Sequence, residues 1–521
     1  MKMSKKLLVV LMILLLTIGL ISGCNLEEKS KDIDNLEGEN KNTTYFVSFG
    51  NIEKEDFVQE LKKINMDENT LLIGVDTDYS EAAIEQLNQM LKKEGFDFEV
   101  MLCRLPDQCL LDGSFLGFVQ YLKEEKIPID ILPVWNTDMK GVTDNELLVD
   151  LSIKIEKEKG LKEVYPEKFW ELTSVDGKNY GMGTFYVSNE GWEVNKELME
   201  KYGFTKEELA KEIIYLEDVF DKVTDGEASN DFAAFVYEPR FFLENISFVY
   251  GDVSLPIGYW YGEEKEEQLV NLFDTDKMKE LVETMNHYYE NGYTKIANDI
   301  PEQSSFFMHT DRAAYPIRRS DGLDTWTNDA GVELVRIPSY SKTKSNLWSA
   351  INAITSWSEK QEDAWEFLKF IYTNAEASTL LRYGIEGEDY NMSGDMAIAG
   401  GSLSENVIHS RSLGNLQLAP PLSPYEDVSK NTLVEESLNN LEDSFLDGFA
   451  FDTEPVQKEV DAVRGLFMEL STFRTMFAFE QTGRYQTWED YYESYCQELK
   501  YAGIDRIVDE MNRQLQEYLQ K

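Results

Sequence analysis

Five segments between residues 71 and 135 alternate between two hydrophobic patterns, and this alternation constrains the fold more than any other feature. Residues 71–75 and 129–135 are short apolar runs, which are typical of buried strands. Residues 96–102 alternate between apolar and polar side chains, as a strand does. Residues 80–93 and 115–125 space their apolar side chains as helices do. The order strand–helix–strand–helix–strand predicts parallel strands in one sheet, with helices on both faces.

The later part of the chain continues this mixture of strands and helices. Residues 334–338 have the pattern of a strand, and residues 359–372 have that of an amphipathic helix. The C-terminal end is predicted to be helical over residues 456–470, 488–502 and 506–519.

The composition excludes several classes of protein. The 521 residues include 97 acidic and 50 basic ones, and a net charge of −47 repels phosphate backbones, so we expect no nucleic-acid partner. An aromatic content of 12% is too high for a disordered acidic chain. Four cysteines exclude a disulfide scaffold, and three histidines leave little for an imidazole-rich metal site or a catalytic triad. We therefore expect no metal and no cofactor.

The N-terminus has the pattern of a secretory signal. Lys2, Lys5 and Lys6 precede an apolar run over residues 7–21. As a helix, this run would be about 22 Å long, which is shorter than the ~30 Å hydrocarbon core of a membrane. The pattern favours a signal peptide over residues 1–23, and an uncleaved membrane anchor is the alternative.

The residues that end this run, Leu-Ile-Ser-Gly-Cys at 20–24, resemble a bacterial lipobox. The resemblance implies a lipoprotein signal peptide, cleavage before Cys24, lipidation of that cysteine and attachment to the extracytoplasmic face of the cell membrane. Two or more acyl chains hold a protein stably where one does not. Cleavage removes three lysines and makes the charge −50, so we expect the protein to contact the membrane through its N-terminal lipid only.

Residues 24–44 are predicted to be the lipidated cysteine followed by a flexible tether. Residues 25–44 are rich in Glu, Lys, Asp and Asn and show almost no apolar periodicity. Such a segment would lift a folded body off the membrane. A surface loop of the first domain is the alternative.

Six short motifs carry a family resemblance when they are taken in chain order. They are D-G-K-N-Y-G-M (176–182), F-M-H-T-D-R-A-A-Y (307–315), A-I-N-A-I-T (350–355), Q-E-D-A-W-E-F-L (361–368), Y-G-I-E-G-E-D-Y (383–390) and G-F-A-F-D (448–452). Their order and spacing resemble the extracellular solute-binding proteins of family 1, the maltose-binding-protein type. The last two motifs resemble a lipoprotein subgroup of that family with a distinctive C-terminal domain.

The resemblance implies an α/β fold of the periplasmic-binding-protein type. In that fold two lobes are joined by three chain crossings, and the ligand binds in the cleft between the lobes. By the family pattern the crossings fall near residues 184–185, 337–338 and 390. Lobe 1 would comprise 45–184 plus 339–390, and lobe 2 would comprise 185–338 plus 391–521 with the helical C-terminal region.

The candidate ligand-binding residues combine aromatic rings, which stack on sugar faces, with polar groups that bind hydroxyls. Trp135 and Asn136 end a predicted strand at its carboxyl edge, where open α/β sheets present ligand-binding groups. Core packing is the alternative for this pair. The full set of candidates is Trp135, Asn136, Tyr186, Glu238, Arg240, Phe241, Trp260, Arg318, Arg319 and Trp348.

Two second-lobe assignments leave alternatives open. Residues 237–242 resemble a loop that meets the ligand in the maltose-binding type, and a plain loop-to-helix junction is the alternative. Trp260 lies between Tyr259 and Tyr261, and strand alternation would expose either Trp260 or the two tyrosines. A hairpin with cross-strand aromatic packing is the alternative there.

Arg318 and Arg319 stand where the family usually has an apolar or aromatic pair, and Glu388-Asp389 replaces a usual basic pair. Arginine binds carboxylate and sulfate groups through two parallel hydrogen bonds. One hypothesis is therefore an acidic ligand, and pairing of the arginines with surface carboxylates is the alternative. Binding of a charged oligosaccharide that survives the double change to alanine would contradict the acidic-ligand hypothesis.

Two further motifs, a partial match to a calcium loop and a pair of cysteines, have structural interpretations that involve no ligand. Asp389, Asn391 and Ser393 mimic the start of a calcium loop, but Gly400 stands where a bidentate glutamate is required, so a tight turn between short strands is predicted. Cys103 and Cys109 could form a disulfide bond, which would leave Cys496 unpaired, or they could be buried free thiols.

Together these features predict the substrate-binding component of an ABC importer. It would capture an oligosaccharide as a monomer, close about its hinge and deliver the ligand to the transmembrane subunits of an ABC permease. A non-sugar or acidic solute is the main alternative. An extracellular glycan-degrading enzyme and an adhesin are further alternatives, although the chain has none of the motifs H-E-x-x-H, G-x-S-x-G or G-x-x-x-x-G-K.

Overall fold

The structure is a computed structural model that describes most of the chain after residue 43. The described residues are 44–50, 52–110, 115–135, 138–165, 167–186, 191–227, 232–237, 243, 248–252, 254–296, 305–310, 325–327, 331–338, 348–400, 412–423, 426, 428–439, 441, 444–447, 449 and 451–520. The predicted signal peptide, the lipidation site Cys24 and all but the last residue of the predicted tether lie outside them.

The strands and helices of the described residues alternate along most of the chain. The strands are β1 (Phe46–Val47), β2 (Thr70–Val75), β3 (Glu99–Arg104), β4 (Ile131–Trp135), β5 (Ser174–Val175), β6 (Lys178–Asn179), β7 (Gly181–Tyr186), β8 (Gly191–Asn195), β9 (Phe232–Tyr237), β10 (Phe248–Asp252), β11 (Ile257–Trp260), β12 (Val270–Asn271), β13 (Thr294–Ile296), β14 (Ser305–Thr310), β15 (Thr325–Thr327), β16 (Glu333–Pro338), β17 (Trp348–Ile354), β18 (Tyr390–Ser393), β19 (Met396–Ala399) and β20 (Leu422–Ser423). The helices are α1 (Lys54–Leu61), α2 (Glu81–Glu94), α3 (Phe115–Glu124), α4 (Met139–Asp144), α5 (Ser152–Lys157), α6 (Lys159–Val164), α7 (Glu167–Leu172), α8 (Lys196–Tyr202), α9 (Lys206–Leu209), α10 (Glu217–Glu227), α11 (Asp276–Glu290), α12 (Gln361–Thr373), α13 (Ala375–Tyr383), α14 (Lys430–Asn439), α15 (Gln457–Phe467), α16 (Leu470–Phe477), α17 (Trp488–Ala502) and α18 (Ile504–Leu519).

The first lobe is built on a six-stranded sheet with the order β1-β3-β2-β4-β17-β7. The strands β1, β3, β2 and β4 are parallel, and β17 runs antiparallel to both of its neighbours. Every residue of β2 is buried, because helices cover both faces of the sheet. Helix α2 begins after Ser80, whose hydroxyl accepts a hydrogen bond from the Ala83 amide, and ends at Gly95 with a φ of +92°. The predicted strand–helix order of residues 71–135 is confirmed.

The second lobe is built on a six-stranded sheet with the order β13-β9-β14-β8-β16-β15. The strands β13, β9 and β14 are parallel, and β8 runs antiparallel between β14 and β16. Buried side chains from the helices α8, α10 and α11 pack in the hydrophobic core of this lobe, among them Leu198, Phe220 and Met285.

The C-terminal helices α15 to α18 belong to the core of the second lobe. Val460, Phe473, Leu499 and Met511 all lie in the same hydrophobic cluster as the second sheet. The Asn512 side chain also binds the extended segment before β12: the Leu269 amide donates to its Oδ1 at 2.8 Å, and its Nδ2 donates to the Leu269 carbonyl at 2.8 Å. The last helices therefore complete this lobe.

Two chain crossings between the sheets follow directly from the topology. The chain leaves the first sheet at the end of β7 and enters the second at β8, and it returns between the end of β16 and the start of β17. Near the third predicted crossing, Tyr383 and Tyr390 pack with Leu334 of β16 and with Leu422 of β20. This cluster connects α13 of the first lobe to the second sheet.

The segment after residue 390 does not pack on one lobe alone. Leu413 and Leu438 lie in the core of the first lobe, with α2, α12 and α13. This differs from the predicted division, which assigned residues 391–521 to the second lobe. The reason is that apolar side chains of this segment cover the helices of the first sheet before the chain reaches α15.

The structure contains the predicted tight turn between short strands and the buried free thiols. β18 and β19 form an antiparallel hairpin with Ser393 opposite Met396, so the residues that mimic a calcium loop form a tight turn. Cys103 and Cys109 are buried free thiols. Burial raises the pKa of Cys109 to about 11 and raises that of Cys103 further.

Within the part of the chain that the structure describes, no helix is both long enough and apolar enough to cross a membrane.

Candidate functional site

Both sheets turn the carboxyl ends of their parallel strands toward the chain crossings. In the first sheet this edge carries the ends of β3, β2, β4 and β7 and the start of β17. In the second sheet it carries the ends of β9, β14 and β16 and the start of β8. Open α/β sheets bind ligands at their carboxyl edges, so the space between these two edges is the candidate site.

The length of the first crossing limits the distance between the two edges. Four residues separate Tyr186 of the first sheet from Gly191 of the second. A chain of this length spans at most about 18 Å between the two end residues. The two carboxyl edges therefore lie close together at this crossing.

Three aromatic residues occupy neighbouring strands at the first-lobe edge. Trp135 ends β4 and is partly exposed, although Val134 before it is fully buried. Its partner on β17 is Ala350, and two residues before Ala350 the register pairs Trp348 with Tyr186. The sequence predicted all three aromatic residues as ligand contacts, and the sheet brings their backbones to one edge on three neighbouring strands.

Asp76 follows the last residue of β2 at the same edge and is half-buried. Loss of solvent on burial raises the pKa of Asp76 to about 6, against the lowering effects of a hydrogen bond from Ser412 and of the charge of Arg104. The Ser412 hydroxyl donates to Asp76 Oδ1 at 3.0 Å. Asp76 is therefore a hydrogen-bonding group that changes charge near neutral pH.

The sequence analysis missed Asp76 and Ser412. The carboxyl-edge argument that selected Trp135 would have selected Asp76, because an aspartate directly follows a buried strand there. No local pattern could have found Ser412, which lies 336 residues away in sequence.

Arg104, at the end of β3, is the charged neighbour of Asp76. Its guanidinium donates to Asp78 Oδ2 and to Asp107 Oδ1, both at 3.0 Å. With three carboxyl groups around one guanidinium, the described part of this edge is acidic. It offers mainly acceptors, which suit the hydroxyl donors of a neutral sugar.

The second-lobe sheet contains a buried row of ionisable side chains near its carboxyl edge. Glu193 of β8 stands directly between His309 of β14 and Arg336 of β16. Arg336 Nη2 lies 2.9 Å from Glu193 Oε1, and His309 Nε2 lies 3.3 Å from Glu193 Oε2. Their exposures of 0 to 2% rule out ligand contact, so this row joins the three central strands.

The proposed ligand role of Trp260 is wrong. Trp260 is 5% exposed and stacks edge-to-face on Phe248, its partner on β10, at a ring distance of 5.0 Å. Its indole N–H donates to Thr275 Oγ1 at 3.2 Å. Tyr259 is buried as well, because its ring packs on Phe445 at 4.6 Å and its hydroxyl lies 3.0 Å from that of Ser444. The alternative of cross-strand aromatic packing describes this segment correctly.

Six of the sequence-predicted ligand residues lie outside the described residues. Four of them, Asn136, Glu238, Arg240 and Phe241, follow closely in sequence on strands that end at the two edges, and Arg318 and Arg319 follow β14 by eight and nine residues. Their roles stay predictions.

Across the described ranges, no group of three or more His, Cys, Asp or Glu side chains is arranged to hold a metal ion. The side chains described at the first-lobe edge provide one partly exposed indole, carboxyl acceptors and one guanidinium.

Two sequence comparisons relate the chain to known proteins. Residues 445–520 match the family model described as Domain of unknown function (DUF3502). A carbohydrate ABC transporter substrate-binding protein from Streptococcus pneumoniae serotype 4 is 22% identical over 267 residues, which are 48% of this chain and 52% of that protein. The chain thus spans about half the length of this curated relative.

Solved structures with similar folds cover most of the chain. The N-glycan transport solute binding protein (NgtS) from Streptococcus pneumoniae superposes with a TM-score of 0.60 at 18% identity, over 87% of this chain and 98% of that one. Its complex with Man1GlcNAc has a TM-score of 0.55 at 18% identity, over 87% and 100%. An HMO-binding, ABC-transporter-associated solute binding protein from Bifidobacterium longum infantis has a TM-score of 0.54 at 12% identity, over 87% and 99%. These likenesses confirm the predicted fold class.

Proposed function

Since the chain has the two-lobed fold of extracellular solute-binding proteins, we propose that it is the substrate-binding component of an ABC importer and that its ligand is an oligosaccharide. The observation that carries this proposal is the strand register that places Trp135, Tyr186 and Trp348 on three neighbouring strands at the carboxyl edge of the first sheet. The similar proteins support this proposal. The curated relative is the substrate-binding protein of a carbohydrate ABC transporter, and NgtS was solved in complex with glycans.

The mechanism we propose is capture by closure. In the open form, aromatic rings of the first-lobe edge stack on the apolar faces of the sugar rings, and carboxyl groups accept hydrogen bonds from the hydroxyls. The second lobe then closes on the ligand by rotation about the short crossings, as in other hinged binding proteins. The closed form delivers the ligand to the transmembrane subunits of a permease, and the protein itself catalyses no reaction.

The predicted lipid anchor belongs to the same proposal. Lipidation at Cys24 would hold the protein on the extracytoplasmic face of the membrane, and the residues up to 44 would let the monomer reach its permease. Mass spectrometry of the protein from a lipoprotein-processing host would detect the acylated Cys24 peptide, which a Cys24→Ala variant would lack.

The direct test of the proposed function is ligand-induced stabilisation across a panel of glycans. A glycan present at 100 times its Kd stabilises the folded protein by about 2.7 kcal/mol, which thermal unfolding detects readily. The panel contains Man–GlcNAc glycans, other neutral oligosaccharides and acidic oligosaccharides. We expect stabilisation by at least one neutral glycan. The absence of any shift would contradict the sugar assignment, and new reducing ends would support an enzyme instead.

Truncation of Trp135 tests the first-lobe edge. We expect Trp135→Ala to weaken glycan binding by about tenfold or more, because loss of a buried aromatic contact in a binding site often costs over 1 kcal/mol. Isothermal titration calorimetry gives the two Kd values.

Trp357 is the matched control for this variant. It lies at the opposite end of the β4–β17 pair, where its indole donates to the Ile127 carbonyl at 2.8 Å. Trp357→Ala should leave glycan affinity unchanged. Equal losses in the two variants would mean that Trp135 acts through the stability of the lobe and not through ligand contact.

A further inference from the structure

The Asp76 carboxyl accepts a hydrogen bond from a residue that lies 336 positions later in the chain. Its Oδ1 accepts the hydrogen bond from the hydroxyl of Ser412, which is 1% exposed. Ser412 is the first residue described after 400 and directly precedes Leu413, a core residue of the first lobe. The partner of the edge carboxyl is therefore part of the buried interior.

A buried polar network anchors the backbone of Ser412. The side chain of Asn352, in the centre of β17, donates through Nδ2 to the Ser412 carbonyl at 3.0 Å and to the Tyr372 hydroxyl at 2.7 Å. Asn415 continues the anchor, because its Nδ2 donates to the Tyr372 carbonyl at 3.1 Å. Asn352, Tyr372 and Asn415 are all at most 1% exposed. A network with this burial fixes the position of the Ser412 hydroxyl before any ligand arrives.

Among the residues that the structure describes, Arg104 is the charged group that faces Asp76. Arg104 lowers the pKa of Asp76 through its charge, and Arg104 is itself held by the exposed carboxylates of Asp78 and Asp107. The pKa of Asp76 remains raised because burial outweighs the hydrogen bond from Ser412, the hydrogen bond from its own backbone amide and the charge of Arg104.

We propose that Ser412 is a positioning residue of the ligand site, which orients the Asp76 carboxylate to accept a hydrogen bond from a sugar hydroxyl. This proposal rests on the proposed function. Ser412 need not touch the ligand, since one donated hydrogen bond uses only part of the acceptor capacity of a carboxylate. The network through Asn352 makes this orientation a property of the folded first lobe.

The proposal predicts that glycan capture depends on pH. Above pH 6 the ionised carboxylate accepts a charge-assisted hydrogen bond, and below pH 6 the neutral carboxyl accepts a weaker one. Affinity should therefore fall on acidification, by on the order of tenfold between pH 7.5 and pH 5.

The decisive variant is Ser412→Ala. Loss of the donated hydrogen bond removes an interaction that lowers the pKa of Asp76, so that pKa should rise by about one unit. The midpoint of the affinity-against-pH curve should rise with it, and Asp76→Asn should abolish the step. Calorimetry across pH gives the curves. Carbon-13 NMR of labelled Asp side chains in the ligand-free protein gives the pKa, with Asp76→Asn identifying the signal.

Ser378→Ala is the matched control. Ser378 is another buried serine of the first lobe, 1% exposed, whose hydroxyl donates to the Ile371 carbonyl at 2.7 Å. This variant should leave the pH midpoint and the Asp76 titration unchanged. If Ser412→Ala does not fold, Ser412→Cys retains the side-chain volume with a much weaker donor and should give the same upward shift.

The outcomes distinguish the positioning role of Ser412 from the proposed function of the protein. An Asp76 titration that is the same in wild type and in the Ser412 variant overturns the positioning role, whatever the ligand proves to be. A second outcome is that no glycan binds wild type while the pKa of Asp76 still rises in the variant. This result contradicts the proposed function but supports the hydrogen bond by which Ser412 positions Asp76.

Discussion

Replacing Arg382 with alanine is expected to lower the free energy of unfolding by about 3–5 kcal/mol, because it removes the main partner of a buried carboxylate. Arg382 of α13 is 2% exposed and Glu426 is 3% exposed. The guanidinium contacts both carboxylate oxygens of Glu426, with Nη1 donating to Oε2 at 3.2 Å. Lys430 Nζ lies 3.7 Å from the same carboxylate and would compensate part of the loss. Chemical denaturation measures the change.

An exposed arginine provides the control for Arg382. Arg513 on α18 also binds glutamates, with Nε donating to Glu510 Oε2 at 2.8 Å, but its side chain is 52% exposed. Arg513→Ala should leave the free energy of unfolding nearly unchanged, since water replaces the lost partner. A loss in Arg382→Ala no larger than in Arg513→Ala would show that burial does not decide the outcome.

The same buried pair makes stability depend on pH. Burial raises the pKa of Glu426, but the charges of Arg382 and Lys430 outweigh it and hold the pKa well below the ordinary value of 4.5. A carboxyl with a lowered pKa contributes stability that is complete above 4.5 and is lost as the pH falls below it. Arg382→Ala should lose less stability than wild type over this acidic range. Equal acid losses would contradict the assignment.

Truncating two side chains of the last helix should prevent stable folding of the second lobe. Met511 and Leu515 are fully buried on one face of α18, within the core of that lobe. Each change to alanine typically costs about 2–5 kcal/mol, and the whole stability of a domain is only about 5–15 kcal/mol. The double variant should lose its cooperative unfolding transition or shift it far toward lower denaturant concentration.

The surface of the same helix supplies the control for the double variant. Asp509 of α18 is exposed, and Asp509→Ala should unfold like wild type. A double variant that unfolds like wild type would mean that residues 445–520 form a separate unit. The expected result would instead show that the segment matching DUF3502 is a structural part of the second lobe.

Much of the first lobe could be predicted from local sequence. The strand–helix order of residues 71–135 is written in the spacing of apolar side chains, and the ends of α2 are marked by Ser80 and Gly95. These signals are reliable because each one depends on neighbours within a few residues. Trp135 was placed correctly at a strand end for the same reason.

The role of Trp260 could not be predicted in this way. Its ring packs on Phe248, its indole N–H binds Thr275, and the hydroxyl of the neighbouring Tyr259 lies 3.0 Å from that of Ser444, which is 185 residues away in sequence. The alternation of side chains along a strand indicates which of them share a face, but it does not indicate what packs on that face. The same limit applies to Leu413 and Leu438, which pack on the first lobe.

The sequence by itself determined the fold class, the strands that end in aromatic residues and, through short motifs, the resemblance to solute-binding proteins. Only the tertiary structure decided that Trp260 is a core residue, that Asp76 is tied to Ser412 and that Arg382 is paired with Glu426. The physical reason is range. Hydrophobic periodicity and capping act between neighbours in the chain, whereas burial and the pKa of a carboxyl depend on groups brought together from distant segments.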